Sequence, residues 1–549
     1  MRHPYHNLLK MVGIYALLPF VCAAVAKAAD ASASPSVNWG NVTGSEGQVY
    51  PTDVGFLGQT LYSAPPFLAQ VDKLNTTRPN GKYGVEMRWL PKDGEKNNAT
   101  SDDIFRNLGQ VSPYHPADDL FPETNGQQVV PKNCTIKQVH ILHRHGARYP
   151  TGGSTGGEYL FGQKIQNATK AGKLNATGDL AFLNHWNYTL GTEVLTHVGS
   201  QELFDSGVKH YYQYAKLLEN LTEHKPVIRT TSQSRMLDSA RYWTLGFFGW
   251  DAPAKMNLEV VTEDKSQNNT LAPNCKSPNM TAPIKAWEQK YTPAIADRLN
   301  KMVSGVTIDP SDIYYMMTLC GYETVSIGYS HFCSVFTKEE WEQHEYDVDL
   351  QFMAGSGLMS PNAKAYGIGY VLEFIDRITK QKFHGPQTLQ NSTLDSNSAY
   401  YPLDQGLYAD FSHDTAITNI MTAFNLTQVL QVLDPTNPDP KRHYRASRVT
   451  PFGARLVFEV MDCDENNNST QYIRAKVNEA VVPLNQDQGC KSRPDGLCKL
   501  NDFIGTLQAH AYKDSHFDVA CFGVNGTDYV VTGPSKTGTL TDDQIKKKN

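Results

Sequence analysis

Ile136-Lys-Gln-Val-His-Ile-Leu-His-Arg-His-Gly-Ala-Arg-Tyr-Pro150 is the stretch on which the fold turns. Val139, Ile141 and Leu142 make a short apolar run that ends at Gly146, the pattern of a strand buried on both faces of a parallel sheet. Two further runs repeat it. Pro226–Ile228 leads into Arg229-Thr-Thr-Ser-Gln-Ser-Arg235, and Gly406–Phe411 leads into Ser412-His413-Asp414. Helical periodicity separates these runs: Glu202–Asn220, then Met236, Ala240, Trp243 and Phe247 at spacings of 4, 3 and 4, then Tyr366–Lys380, and after Asp414 the set Ile417, Ile420, Met421 and Phe424. Strands alternating with helices predict an α/β fold with a doubly wound, mainly parallel sheet. The stretch from about 150 to 340 holds more helix and loop than one crossover needs, so a second, mainly helical subdomain is expected there.

Ligands of open α/β sheets bind beyond the carboxyl ends of the strands, and all three runs end in residues suited to an oxyanion. Arg144 and Arg148 each offer a fork of donors to phosphate, with His145 between them. Arg235 opens the Met236 helix, whose N-terminus favours an anion, and it is preferred over Arg229 as the phosphate ligand. His413 can donate to phosphate while Asp414 protonates a leaving oxygen. Taken singly, Asp414 reads as a helix N-cap and Arg235 as a solvated helix residue; their recurrence at three strand ends is what argues for a site. His143 and His145, two apart, could share a metal, but the flanking Arg144 and Arg148 would repel a cation. Neither a metal nor any other cofactor is expected. The glycine-rich run Gly152–Gly157 lacks the Gly-Lys-Ser/Thr ending of a nucleotide phosphate loop.

Arg144-His-Gly-Ala-Arg-Tyr-Pro150 together with the distant His413-Asp414 resembles the histidine acid phosphatases, and the form with Tyr149-Pro150 looks like their fungal secreted branch, which includes phytases. The likeness runs from about Cys134 to Phe522 through Trp243-Thr-Leu-Gly-Phe-Phe-Gly249, His331-Phe-Cys-Ser-Val-Phe-Thr-Lys-Glu-Glu-Trp341, Ala409–Thr415 and Val481-Val-Pro-Leu484. Thr415 and the segment Leu180–Tyr188 look closer to the broad-specificity, low-pH B-type enzymes. The resemblance implies an α/β domain with a helical companion, occupying about 131–530. It also implies hydrolysis of phosphate monoesters, phytate among the candidates, through a phosphohistidine at acidic pH. His145 would be the nucleophile, Asp414 the proton donor, and Arg144, Arg148, Arg235 and His413 the phosphate ligands. For the cysteines it implies Cys134 with Cys463, Cys275 with Cys521, Cys320 with Cys333, and Cys490 with Cys498. The Arg-His-Gly string also occurs in phosphoglycerate-mutase-type phosphotransferases, but those pair the nucleophile with a glutamate acid rather than His-Asp.

The remaining features concern compartment and partners. Arg2 and Lys10 precede an uncharged run, Met11–Ala26, followed by small residues, which reads as a secretory signal peptide over 1–28. A membrane anchor would need about 20 apolar residues, and Pro19 interrupts this run. Of nine cysteines, Cys22 leaves with the signal, and the remaining eight form an even set suited to disulfides in an oxidising compartment. Fifteen Asn-Xaa-Ser/Thr sequons, Asn133, Asn279 and Asn391 among them, point to a secreted, N-glycosylated protein in the medium or cell wall. The Pro-, Gly- and Asn-rich stretch 29–130 reads as an extended arm able to reach a partner subunit, and 531–549 as a polar tail without the apolar end of a lipid anchor. A formal net charge of -6 excludes the basic footprint of a nucleic-acid binder, and 40% hydrophobic residues suffice for a large core. The expected partner is a small phosphomonoester, with neither nucleic acid nor membrane.

Overall fold

The computed structural model describes residues 104–541, apart from 118–119, 125–128, 220–223, 276–277, 383–387, 466–467 and 524–533. The expected signal peptide and most of the expected arm lie outside these residues, and with them the suggested route to an oligomer.

The run read first becomes strand β1 (Cys134–Arg144) and sits near the middle of the sheet. The other strands are β2 (Val227–Thr231), β3 (Asn257–Val261), β4 (Leu407–Ser412), β5 (Arg455–Glu465), β6 (Asn468–Val477), β7 (Ala480–Val481) and β8 (Cys498–Lys499). They are ordered β8-β6-β5-β1-β4-β2-β3, with β7 paired to β6. Strand β1 runs parallel to β4, in the register Val139↔Leu407 to Arg144↔Ser412, and β2 runs parallel to both β4 and β3. These four strands are the parallel part, and their carboxyl ends lie together. On its other edge β1 pairs antiparallel with β5, which forms an antiparallel hairpin with β6.

Helices cover both faces of the sheet. Alternate β1 residues Val139 and Ile141 pack with Ile228, Phe411 and the apolar sides of α2 (His197–Tyr214) and α3 (Ser234–Phe248), including Leu203, Met236 and Trp243. On the opposite face lie α7 (Ala363–Thr379), α8 (Asp414–Ala423) and α9 (Leu500–Ser515). There Phe424 is 5.1 Å from Phe374 and 4.8 Å from Phe458, ring centre to ring centre. The period-2 alternation of β1 thus feeds two apolar layers, which is why the strand is apolar on both sides.

The helical part consists of α1 (Gly157–Lys170), α4 (Thr281–Asn300), α5 (Pro310–Ile327) and α6 (Lys338–Gly355). Asp309 and Thr337 cap α5 and α6 with reciprocal capping boxes. The span 150–340 is interrupted by β2, α3 and β3, which belong to the sheet, so the helices come from two separate insertions. Their buried residues, Ile165, Trp287, Ile313 and Trp341 among them, are continuous with the core under α7–α9.

Residues 104–117 and 120–124, expected in the extended arm, form short turns whose Leu108 and Val111 are buried in the body. The expected tail is also partly docked: Gly538 N–H donates to Leu358 O at 2.8 Å and Lys364 N–H to Gly538 O at 2.9 Å. Four disulfides join Cys134 to Cys463, Cys275 to Cys521, Cys320 to Cys333 and Cys490 to Cys498, the pairs the resemblance implies. Among the described residues no helix is long and apolar enough to cross a membrane, and no three His, Cys, Asp or Glu side chains group to hold a metal ion.

Candidate active site

Arg144 ends β1 with its side chain fully buried. Its Nη1 donates to the carbonyls of Gln110 (2.5 Å) and Thr450 (2.7 Å), and its Nη2 meets Asp414 Oδ2 at 2.5 Å. The guanidinium lies 4.8 Å from the centre of the Phe452 ring. Segments far apart in sequence therefore hold one cation in a single orientation.

His145 follows, with 1% of its surface exposed. Its Nδ1 is 2.9 Å from Gly146 O. A carbonyl can only accept, so Nδ1 carries the ring hydrogen, and the neutral ring keeps its lone pair on Nε2. Burial first, then the charges of Arg144, Arg148, Arg235 and His413, hold this imidazole well below the ordinary histidine range. Its neutral form is therefore favoured to lower pH than that of a free histidine.

The loop after His145 is clamped from below. Gly146 is required by close approach: a Cβ there would lie 2.3 Å from Gly199 O. Ala147 N–H donates to Glu202 Oε2 at 2.7 Å, and Gly146 N–H to Ser239 Oγ at 3.2 Å. Arg148 then turns inward, its Nη1 donating to Tyr149 O (2.9 Å) and to the Tyr322 hydroxyl of α5 (3.3 Å).

Arg235, in the first turn of α3, pairs through Nη1 with Glu193 Oε2 at 2.6 Å. Glu193 also accepts from Gly152 N–H at 3.0 Å, tying the glycine-rich run to the site rim. The Nε atoms of Arg144, Arg148 and Arg235 are buried without an acceptor among the described residues. Since buried donors are ordinarily paired, three such N–H groups in one cationic cluster fit an anion.

His413 is the N-cap of α8, and its ring centre lies 6.0 Å from that of His145. Its Nε2 meets Glu263 Oε1 at 3.0 Å. Asp414 opens the same helix, and its Oδ1 accepts from Thr415 N–H at 2.7 Å. Burial alone would raise Asp414, but the charges of Arg144, Arg148 and His413 and the Thr415 N–H outweigh it and hold the carboxyl below the usual aspartate range.

All six expected site residues thus converge on one cluster. Arg229 does not join it: paired in register with Asp410, it enters a buried network with Asp410 Oδ1 (2.7 Å) and Glu373 Oε2 (2.7 Å). Asp410 also meets Arg377 at 2.5 Å. His143 is equally occupied, with Nδ1 on Arg144 O (2.7 Å) and Nε2 on Ser206 Oγ (2.8 Å). Sequence reading missed Glu193, Glu202, Glu263 and Tyr322. For Glu263 a signal existed, because it stands two residues beyond β3, at the strand end where such sheets bind ligands.

Comparison with known proteins gives a consistent result. Residues 135–478 match the model of the histidine phosphatase superfamily, branch 2. The chain is 35% identical over 424 residues to Phytase A of Aspergillus oryzae, covering 73% of this chain and 87% of that one. It is 34% identical over 420 residues to Phytase A of Aspergillus fumigatus, with the same coverage. The fold is similar to that of the phytase from D. castellii, with a TM-score of 0.61 at 21% identity over 81% of this chain and 97% of that one. Matched through the segments that build the cationic cluster, and at this identity across most of its length, the chain belongs to branch 2 of the histidine phosphatase superfamily.

Proposed function

We propose that this chain hydrolyses phosphate monoesters in acid solution through a phosphohistidine formed on His145, with phytate among its substrates. The observation that carries the reading is a neutral imidazole, its Nδ1 committed to Gly146 O, inside a cluster of three arginines and His413. The cations offset the charge of the phosphoryl oxygens, which is the larger part of catalysis in phosphoryl transfer. His145 Nε2 forms the N–P bond as the ester P–O bond breaks, and the Asp414 carboxyl gives its proton to the departing alcohol oxygen. Water then attacks the phosphohistidine, Asp414 takes a proton from it, and inorganic phosphate leaves from a regenerated neutral histidine.

The charges that keep His145 neutral also favour ionised Asp414, so activity belongs to acid solution, where the carboxyl retains its proton. Phytate as a substrate is supported by the Phytase A relatives, and export to an oxidising medium by the four disulfides. The test is His145→Ala assayed against a panel of phosphomonoesters including phytate. Turnover should vanish while the protein stays folded and secreted; substantial residual hydrolysis would remove His145 as nucleophile.

A further inference from the structure

Glu202 reaches the expected nucleophile through a single peptide group. Helix α2 is pressed against the loop after His145: a Cβ at Gly199 would lie 2.0 Å from Ala147 O and 2.6 Å from Ala147 N. One turn further along the same face of α2, Glu202 Oε2 accepts from Ala147 N–H at 2.7 Å, and its Oε1 accepts from Tyr114 N–H at 3.1 Å. Ala147 N–H and Gly146 C=O are the two ends of one planar peptide, and that carbonyl is the oxygen 2.9 Å from His145 Nδ1. Carboxyl, peptide and imidazole thus form a continuous chain of hydrogen bonds. The neighbouring backbone groups have other partners: Gly146 N–H donates to Ser239 Oγ at 3.2 Å, Gly453 N–H to His145 O at 2.9 Å, and Thr196 N–H to Ala147 O at 2.9 Å. Of all these partners only Glu202 carries a carboxyl.

As His145 Nε2 bonds to phosphorus, positive charge develops on the ring and Nδ1–H becomes a stronger donor. Arg144, Arg148, Arg235 and His413 all oppose charge on that ring, so an anion acting from behind it has something to offset. A carboxylate at the N–H end of the peptide strengthens the carbonyl at the other end as an acceptor, because linked hydrogen bonds polarise one another. A Ser-His-Asp triad places its carboxylate directly on the histidine; here one peptide stands between them. Burial raises the Glu202 carboxyl above its ordinary range, outweighing the two N–H donors and the charges of Arg144 at the end of β1 and Arg455 at the start of β5. Asp205, on α2 itself, is a further titratable group that acts in the same place.

We infer that Glu202 is a positioning residue that acts on His145 through the Gly146–Ala147 peptide, fixing the ring and supporting the charge that develops on it during phosphoryl transfer. The inference rests on the phosphomonoesterase reading, but one of its two readouts does not.

The first readout is Glu202→Gln, which keeps an acceptor for Ala147 N–H and loses the charge. Phosphorylation of the enzyme by nitrophenyl phosphate at pH 6, followed by rapid quench, should slow about tenfold, the size of one weakened charge-assisted bond. Ki for inorganic phosphate, which is set by the cations, should change by less than about threefold. The deficit in rate should shrink as pH falls, because the raised Glu202 carboxyl of the wild type then loses its charge as well. A purely structural role would weaken phosphate binding and slow phosphorylation together at every pH; that result, or an unaltered rate, would overturn the inference. The second readout needs no change at Glu202. In a proton NMR titration of the full-length wild-type protein, the His145 Nδ1–H signal is assigned by its loss in His145→Asn and the Ala147 amide by selective glycine and alanine labelling. The two should shift together, with a shared midpoint above the ordinary glutamate value of about 4.3. A shift of one without the other, or of neither, would overturn the relay. Absence of a phosphohistidine in the quenched wild type would instead remove the underlying mechanism and leave the titration readable.

Discussion

Replacing Asp414 by Asn removes the proposed proton donor and little else. The amide has the shape of the carboxyl, and its oxygen can still accept from Arg144 Nη2, now 2.5 Å from Oδ2, or from Thr415 N–H, now 2.7 Å from Oδ1. Arg144 keeps both carbonyl partners, Gln110 and Thr450, so the cation ring should stay in place. General acid catalysis contributes roughly 100- to 10,000-fold, equivalent to about 3–5 kcal/mol of barrier. An alkyl phosphate, whose alkoxide cannot leave unprotonated, should lose kcat/KM by that factor. A nitrophenyl phosphate, whose phenolate leaves unaided, should lose less than about tenfold in the phosphorylation step. Because Asp414 also serves as the base toward water, the phosphohistidine should accumulate, giving a burst of nitrophenol near one equivalent of enzyme. The pH profile carries the same signature. In the wild type, activity falls as pH rises and Asp414 loses its proton; for phosphorylation by the aryl substrate that limb should disappear in Asp414→Asn. Rapid-quench kinetics with both substrates from pH 3 to 7 measures all of this. Equal losses for the alkyl and aryl esters, with no burst, would refute the assignment.

Two further substitutions test the frame that holds the site. Gly146→Ala would put a Cβ 2.3 Å from Gly199 O and 2.5 Å from Leu203 Cδ2, one of them unyielding backbone; we expect a loss of about 1–3 kcal/mol and a fall in kcat as His145 is displaced, and an unchanged melting temperature would show that the close approach is not required. Asp410→Asn leaves Arg229 and Arg377 buried with one anion fewer, at a cost of about 3–5 kcal/mol. Their charges outweigh burial and hold Asp410 far below the aspartate range, so its contribution is present above the unfolded value of about pH 3.9 and is lost as pH falls through the folded one. The wild type should therefore lose more stability than Asp410→Asn on acidification below pH 4, and equal slopes in denaturant melts would contradict the network.

The features legible in the chain were local ones. An apolar run ending at Gly146, a second at Arg229 and a third before His413-Asp414 mark β1, β2 and β4 with their carboxyl ends, because strand burial and helix periodicity act between near neighbours. The hairpin β5–β6 was not read, although polar Asp464–Ser469 between two apolar stretches is a turn signal. Its pairing of Cys134 with Cys463 joins residues 329 apart, and no short window contains that contact. The docking of the turn Gly109–Val111, which gives Arg144 its Gln110 carbonyl, escaped for the same reason.

The sequence by itself thus determined which chemical groups were available: two guanidiniums around one imidazole, a third arginine at a helix start, and a His-Asp pair. Only the tertiary structure decided how each is used. Strand register turns Arg229 toward Asp410 and away from phosphate, while the segment that accepts from Gly152 N–H and the end of β3 bring Glu193 and Glu263 onto Arg235 and His413. The physical reason is that a charge acquires its pKa and its partner from groups a few ångströms away in space, and those neighbours are set by packing between segments hundreds of residues apart.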